Sequence, residues 1–163
     1  MNIFYLDKNP YKAAQYQYNK HVVKMILESA QMICTAHLVL GDRDADGHFV
    51  DIPYKRAHVN HPSTIWVREN SLHYDWLYKH MIALGDEYIK RYGKKHLSIT
   101  KCEHLWCYPM NIPTKEFEQP PQAMPDEYKH KDSITAYWQY YIHGKSHIAH
   151  KDEELYLTIP ADV

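Results

Sequence analysis

Two stretches of the chain, residues 10–40 and 62–93, carry apolar side chains at the spacing of one helix face, and between them they hold most of the residues able to build a core. A chain patterned this way must pack helix on helix. Asn9 offers an N-cap oxygen, Pro10 suits the first helical position and Gly41 stops the run. The first helix is long for a globular domain, and a kink or break is expected near Tyr18 and Asn19. In the second stretch Ile65, Trp66, Leu72, Trp76, Leu77, Ile82, Leu84 and Ile89 keep helical spacing up to Gly93.

The rest of the chain is shorter-ranged. Residues 2–6 (NIFYL) read as a β-prone extended arm, and residues 41–60, rich in Gly, Asp and Pro, as a surface loop. A third helix fits 98–107. From 108 to 131 the prolines at 109, 113, 120, 121 and 125 forbid a helix or a central strand, leaving a long Pro-rich loop of the kind that tends to carry function. Its PPQAMPDEY segment reads as a rigid lid or the wall of a cleft. A last helix, 133–142, carries Tyr137, Trp138, Tyr140 and Tyr141 before Gly144, and the tail after His150 is acidic. The expectation is an all-α, mainly helical, single compact domain of about four helices over residues 1–163.

Charge narrows the function. Lys and Arg total 19 against 20 for Asp and Glu, a net charge of −1, so contact with nucleic acid must come from a local patch rather than from a basic excess. Cys34, Cys102 and Cys107 are an odd number and are expected as free thiols in a reducing compartment. The apolar runs fall short of the ~18–20 residues of a membrane span, and no membrane partner is expected. The 15 tyrosines suit a cleft that stacks on flat rings, although most of them can serve equally at the core edge.

On the first helix Gln17, His21, Lys24, Glu28, Gln31 and Thr35 fall within an arc of roughly 80° at 100° per residue. Apolar neighbours flank this line, so it is narrower than a solvated face. A His, a Lys and a Glu within two turns can shift one another toward useful protonation states. The alternative is a buried network satisfied by other helices. Glu28, His21 and Lys24 are the candidate catalytic residues, with Gln31 as a substrate contact.

A second constellation is His58, Asn60 and His61 before Pro62, followed by Trp66 and Arg68. Pro62 places His61 and Asn60 at a helix N-terminus, where backbone N–H groups attract phosphate; Arg68 could add a bidentate grip and Trp66 a stacking face. The alternative reading of Asn60 or His61 is a simple cap. Metal sites are weaker. Asp42, Asp44, Asp46 and Gly47 match the start of an EF-hand loop, but Pro53 stands where a bidentate Glu belongs. His96, Cys102, His104 and Cys107 match no common zinc spacing. No metal and no cofactor is expected.

The strings NKHVVKMILESAQ, HVNHPSTIWVREN, YDWLYKHMIALGDEYIKRYGKKH, PPQAMPDEYK and YWQYYIHGKS resemble a set of small proteins of tailed phages that carry no assigned activity. More distantly, the order of features resembles the pyrimidine-dimer DNA glycosylases of T-even phages, often called endonuclease V, which are single-domain helical enzymes. The likeness lies in the apolar N-terminal arm, a His seven residues before a Glu on the first long helix, a YD-x-L helix ending in an RYG turn, and an aromatic segment near the C-terminus. It implies that Glu28 matches the catalytic carboxylate and His21 its neighbouring substrate-contact histidine; Gln31 stands where that family has a basic residue. Two departures stand out. The family's nucleophile is the α-amine exposed after Met removal, whereas Asn2 is a poor residue for such trimming, and the family is strongly basic whereas this chain is neutral.

The expected function is therefore a phage enzyme acting in the host cytoplasm on a nucleobase or N-glycosidic bond, in DNA or in a nucleotide. Glu28 acts at the sugar, His21 and Lys24 orient or activate the nucleophile, His61 and Arg68 hold phosphate, and Trp66 stacks on the base. The alternatives are a non-catalytic protein that binds a nucleotide or a host protein, and a metal-dependent nucleotide hydrolase.

Overall fold

The computed structural model describes residues 1–148. Asn9 Oδ1 accepts the backbone N–H groups of Tyr11 and Lys12 at 2.8 and 3.4 Å and so starts α1 (Pro10–Gln15). The expected break follows at once: Gln17 and Tyr18 turn fully into the core before α2 (Asn19–Leu40) begins. Gly41, at φ 142°, ends α2 with its N–H on the carbonyl of His37.

The second long stretch divides, contrary to the expectation of one continuous helix. Asn70 is extended, at φ −160° and ψ 165°, and separates α3 (Pro62–Glu69) from α4 (Ser71–Tyr92). Its Oδ1 accepts from His73 N at 3.0 Å, its Nδ2 donates to the Glu116 carbonyl at 3.2 Å, and Ser71 N–H goes to the Pro113 carbonyl. The break is thus made by a side chain and a loop that give the backbone better partners than a continued helix would. Gly93, left-handed at φ 73°, closes α4.

α5 (Leu97–Cys102) is shorter than the expected third helix. α6 (Ser133–Gln139), capped by Asp132, runs on into a π-helical turn, Tyr140–Gly144. The count is six helices, four of them with seven or more residues, and no strand among the described residues. The all-α architecture is as expected, with the helix number raised by the breaks at 16–18 and at Asn70. The acidic tail after His150 lies outside the described residues.

α2 sits at the centre, packed on α3, α4 and α5, with α1 laid on α4. It is the one helix among the described residues long and apolar enough to cross a membrane by length and composition, a property the apolar-run estimate missed. Its buried residues, including Val22, Met25, Ile26, Ala30, Met32 and Ile33, belong instead to the main core. The N-terminal arm forms no strand but is buried throughout Ile3–Leu6, pinned where Trp138 Nε1 donates to the Leu6 carbonyl at 2.8 Å. All three cysteines are free, with the Sγ atoms of Cys34 and Cys102 at 3.8 Å in the core.

Candidate active site

The polar line on α2 is sorted by depth. At its ends the groups are structural. Gln17 Nε2 meets His80 Nε2 at 2.9 Å in the core, and Thr35 Oγ1 accepts the Ala57 N–H at 3.1 Å, tying α2 to the loop before α3. His21 is also buried, stacked on Phe4 with ring centroids 4.2 Å apart and with Nδ1 2.5 Å from the Tyr141 hydroxyl. Burial, reinforced by Lys145 and Lys24, lowers its pKa to about 3, so the imidazole is neutral. The middle of the line is open: Lys24 is 71 % exposed, Glu28 is 12 % exposed, and Gln31 is half-buried.

Glu28 meets a partner that the α2 pattern alone could not reveal. The α-amine of Met1 lies 3.5 Å from its Oε1, and Lys24 Nζ lies 3.7 Å from its Oε2. The Met1 side chain is buried, and Asn2 fixes the arm behind it: its Oδ1 accepts from Ile3 N and Phe4 N at 2.7 and 3.1 Å, and its Nδ2 donates to the Ala123 carbonyl at 3.0 Å. Glu28 Oε2 is shielded and has no hydrogen-bond partner among the described residues, so this carboxylate keeps an unused acceptor oxygen.

The second constellation only partly converges on this place. His61 is the N-cap of α3: its Nδ1 accepts from Ser63 N at 3.1 Å, which leaves the neutral ring's proton on Nε2. Burial lowers its pKa, the Met1 ammonium and His58 lower it further, and the Glu28 carboxylate opposes them, so His61 shares the electrostatic environment of the amine and carboxylate. His58 (φ 46°) and Asn60 are exposed. Arg68 turns back to the Val59 carbonyl at 2.8 Å, bracing the loop rather than offering a free fork. Trp66 is buried, stacked on His73 at 4.1 Å with its indole N–H on the Glu118 carbonyl at 3.0 Å, so its ring is spent inside the protein.

A cleft of about 800 Å³ opens beside His61. Its opposite wall is the Pro-rich loop: Pro120, Pro121, Gln122 and Ala123, then Lys129, His130 and Lys131. The expectation of a cleft wall at PPQAMPDEY is met. The Lys-His-Lys run was missed as a site, although two lysines flanking a histidine after a rigid loop were a legible signal. Ala123 joins cleft and arm, since its carbonyl holds Asn2 next to the Met1 amine.

His96, Cys102, His104 and Cys107, whose spacing matches no common zinc site, do not gather among the described residues. Cys102 pairs with Cys34, His104 Nε2 is 2.7 Å from the Asp51 carbonyl, and His96 caps α5 through Ser98 N. Asp44 and Asp46 approach His48 within 4.8 Å, without Asp42, and Asp44 Oδ1 already accepts the Asp46 and His48 N–H groups.

An amine lies against a half-buried carboxylate, beside a lysine-lined cleft in a helical fold. The chain belongs to the pyrimidine dimer DNA glycosylase family, whose model matches residues 1–100, and its function is DNA glycosylase-like. No curated protein and no solved structure matches it. The matched segment contains Met1, His21, Glu28 and His61; the Lys129–Lys131 wall lies outside it.

Proposed function

We propose that this protein cleaves the N-glycosidic bond of a modified or damaged base in DNA, with the Met1 α-amine as nucleophile and Glu28 as its partner. The observation that carries the reading is the 3.5 Å separation between that amine and Glu28 Oε1. In the reaction the amine gives a proton to Glu28 and attacks C1′ of the sugar. The C1′–N bond to the base breaks, its electron pair leaves with the base, and the base takes up a proton. Opening of the sugar ring at O4′ then leaves an imine between Met1 and C1′, which water hydrolyses to restore the amine.

Glu28 also faces the positive charge that develops at C1′, and its shielded Oε2 is free to do so without first losing a hydrogen bond. Lys24, mostly exposed, pairs with Glu28 from the solvent side. The neutral, buried His21 positions the arm through its stack on Phe4 and is not a proton carrier near neutral pH. His61 is the substrate-binding residue carried over from the second constellation.

The test is base release from a panel of ultraviolet-irradiated, alkylated, uracil-containing and undamaged duplexes, read by mass spectrometry, with Glu28→Gln as control. Release from at least one modified duplex, reduced about a hundredfold or more by the substitution, supports the reading. Intact ligand throughout the panel would instead indicate a binding protein.

A further inference from the structure

The cleft's chemistry is uniform. His61, Lys129, His130 and Lys131 line it, together with Pro, Gln, Ala and Ser, and among the described residues no acidic side chain does. Lys129 Nζ reaches Asp126 at 2.8 Å, but that carboxylate is 94 % exposed and the pair is a rim contact that an incoming anion can replace at small cost. Among the described residues Lys131 makes no ion pair. His61, with Nδ1 occupied by Ser63 N, offers its Nε2 as the donating atom. α3 also begins on this cleft at Pro62, and its positive dipole end adds to the field.

The wall is built rather than merely present. Gln122 Nε2 donates to the His130 carbonyl at 2.5 Å, and its Oε1 accepts the His130 N–H at 3.0 Å, a two-way clamp across the loop. Ser133 N donates to Gln119 Oε1 at 2.8 Å and Ser133 Oγ to the Pro120 carbonyl at 2.9 Å. The nearest carboxylate in sequence, Asp132, is committed: Oδ2 accepts from Thr135 N and Thr135 Oγ1 at 3.0 and 2.8 Å, and Oδ1 accepts from Gln119 Nε2 at 3.0 Å. The clamp fixes the backbone at His130 between the two lysines, while Thr135 and Gln119 keep the neighbouring acid turned to α6.

We propose that this cleft is a phosphodiester site in which Lys129, Lys131 and His61 grip the backbone of the strand that presents its sugar to Met1. The proposal rests on the glycosidic-bond reading for its choice of ligand, and it accounts for how a chain of net charge −1 holds a polyanion: the positive charge is local and adjoins the reacting groups. It also places two of the three gripping residues, Lys129 and Lys131, beyond residues 1–100, the part matched by the family.

The experiment measures the dissociation constant of a short fluorescein-labelled duplex as a function of salt. It compares the wild type, Lys129→Ala/Lys131→Ala and Lys129→Arg/Lys131→Arg, with a nucleoside monophosphate and inorganic phosphate as competitors. Each phosphate contact contributes about 0.9 to the salt slope, so the alanine pair should lower the slope by about 2 and reduce the affinity lost between about 50 and 200 mM salt by about tenfold. The arginine pair should restore the slope. An unchanged slope in the alanine variant overturns the proposal. So does tighter, lysine-dependent binding of the mononucleotide than of the duplex, which would mark a free-phosphate site. Base release with an unchanged slope would leave the glycosidase reading standing and remove this one; a lysine-dependent slope without base release would do the reverse.

Discussion

The Tyr141 hydroxyl stands 2.5 Å from Nδ1 of His21, joining the π-helical turn after α6 to the first turn of α2 across 120 residues of sequence. Tyr141 also stacks on Tyr18 at 4.5 Å with planes 3° apart. The contact fixes the base of the helix that carries Glu28 and, through His21 and Phe4, the arm that ends at the Met1 amine.

Tyr141→Phe keeps the stack and removes the hydroxyl, leaving a buried imidazole nitrogen without this partner. A loss of about 1–3 kcal/mol is expected, read as a lower urea midpoint with an unchanged slope against urea concentration. A variant as stable as the wild type would show that this hydrogen bond contributes nothing net.

Four buried histidines, His21, His37, His73 and His80, make stability depend on pH. Burial is the first cause in each case, lowering the pKa of His21 to about 3 and those of His37 and His80 to about 4, and lowering that of His73 as well. Their folded values lie below the unfolded value near 6.5. Under acid the unfolded chain therefore binds protons that the folded chain refuses, and unfolding is favoured as pH falls. Stability should be level above about pH 7 and decline between about pH 6.5 and 4, with His21, His37 and His80 each contributing roughly 1 kcal/mol per pH unit in that window. Urea midpoints across the range check it; a midpoint that rises on acidification contradicts it.

Asn70→Ala should cost about 1–3 kcal/mol, because it removes the α4 cap and the tie to the Glu116 carbonyl together. Calorimetry reads this as a fall in Tm. A helix running unbroken from α3 into α4 in the variant, with Tm unchanged, would mean that Asn70 does not enforce the break.

Gly85 lies against α5 so closely that an added Cβ would meet Ile99 Cγ1 at 2.8 Å and Cδ1 at 2.9 Å. Gly85→Ala should destabilise by about 1–3 kcal/mol despite alanine's better helix propensity. Adding Ile99→Ala should recover part of that loss, in a double-mutant cycle with measurable coupling.

These features divide by how local their causes are. The Gly41 and Gly93 stops were legible because a glycine marks each, and the α1–α2 break because the stretch is long for a single helix. The break at Asn70 was not, because apolar spacing continues through it and the competing partners, the Pro113 and Glu116 carbonyls, come from a distant loop. Glu28 could be picked from the helix pattern as a polar residue on a mostly buried face. Its meeting with Met1 depends on the arm folding back over α2, and the Lys129–Lys131 wall depends on the Gln122 clamp; neither is periodic. For Trp66 and Arg68 the residue types suited to stacking and to anion binding said nothing of their partners inside the fold, which are His73, the Glu118 carbonyl and the Val59 carbonyl.

The pairing of the Met1 amine with Glu28 is tested most directly by reducing the reaction mixture with borohydride while a cleavable modified duplex turns over, then mapping the adduct by peptide mass spectrometry. A sugar-linked adduct on the α-amine of Met1, formed by the wild type and lost in Glu28→Gln, is the predicted result. Base release at full rate with no adduct at that amine would contradict it.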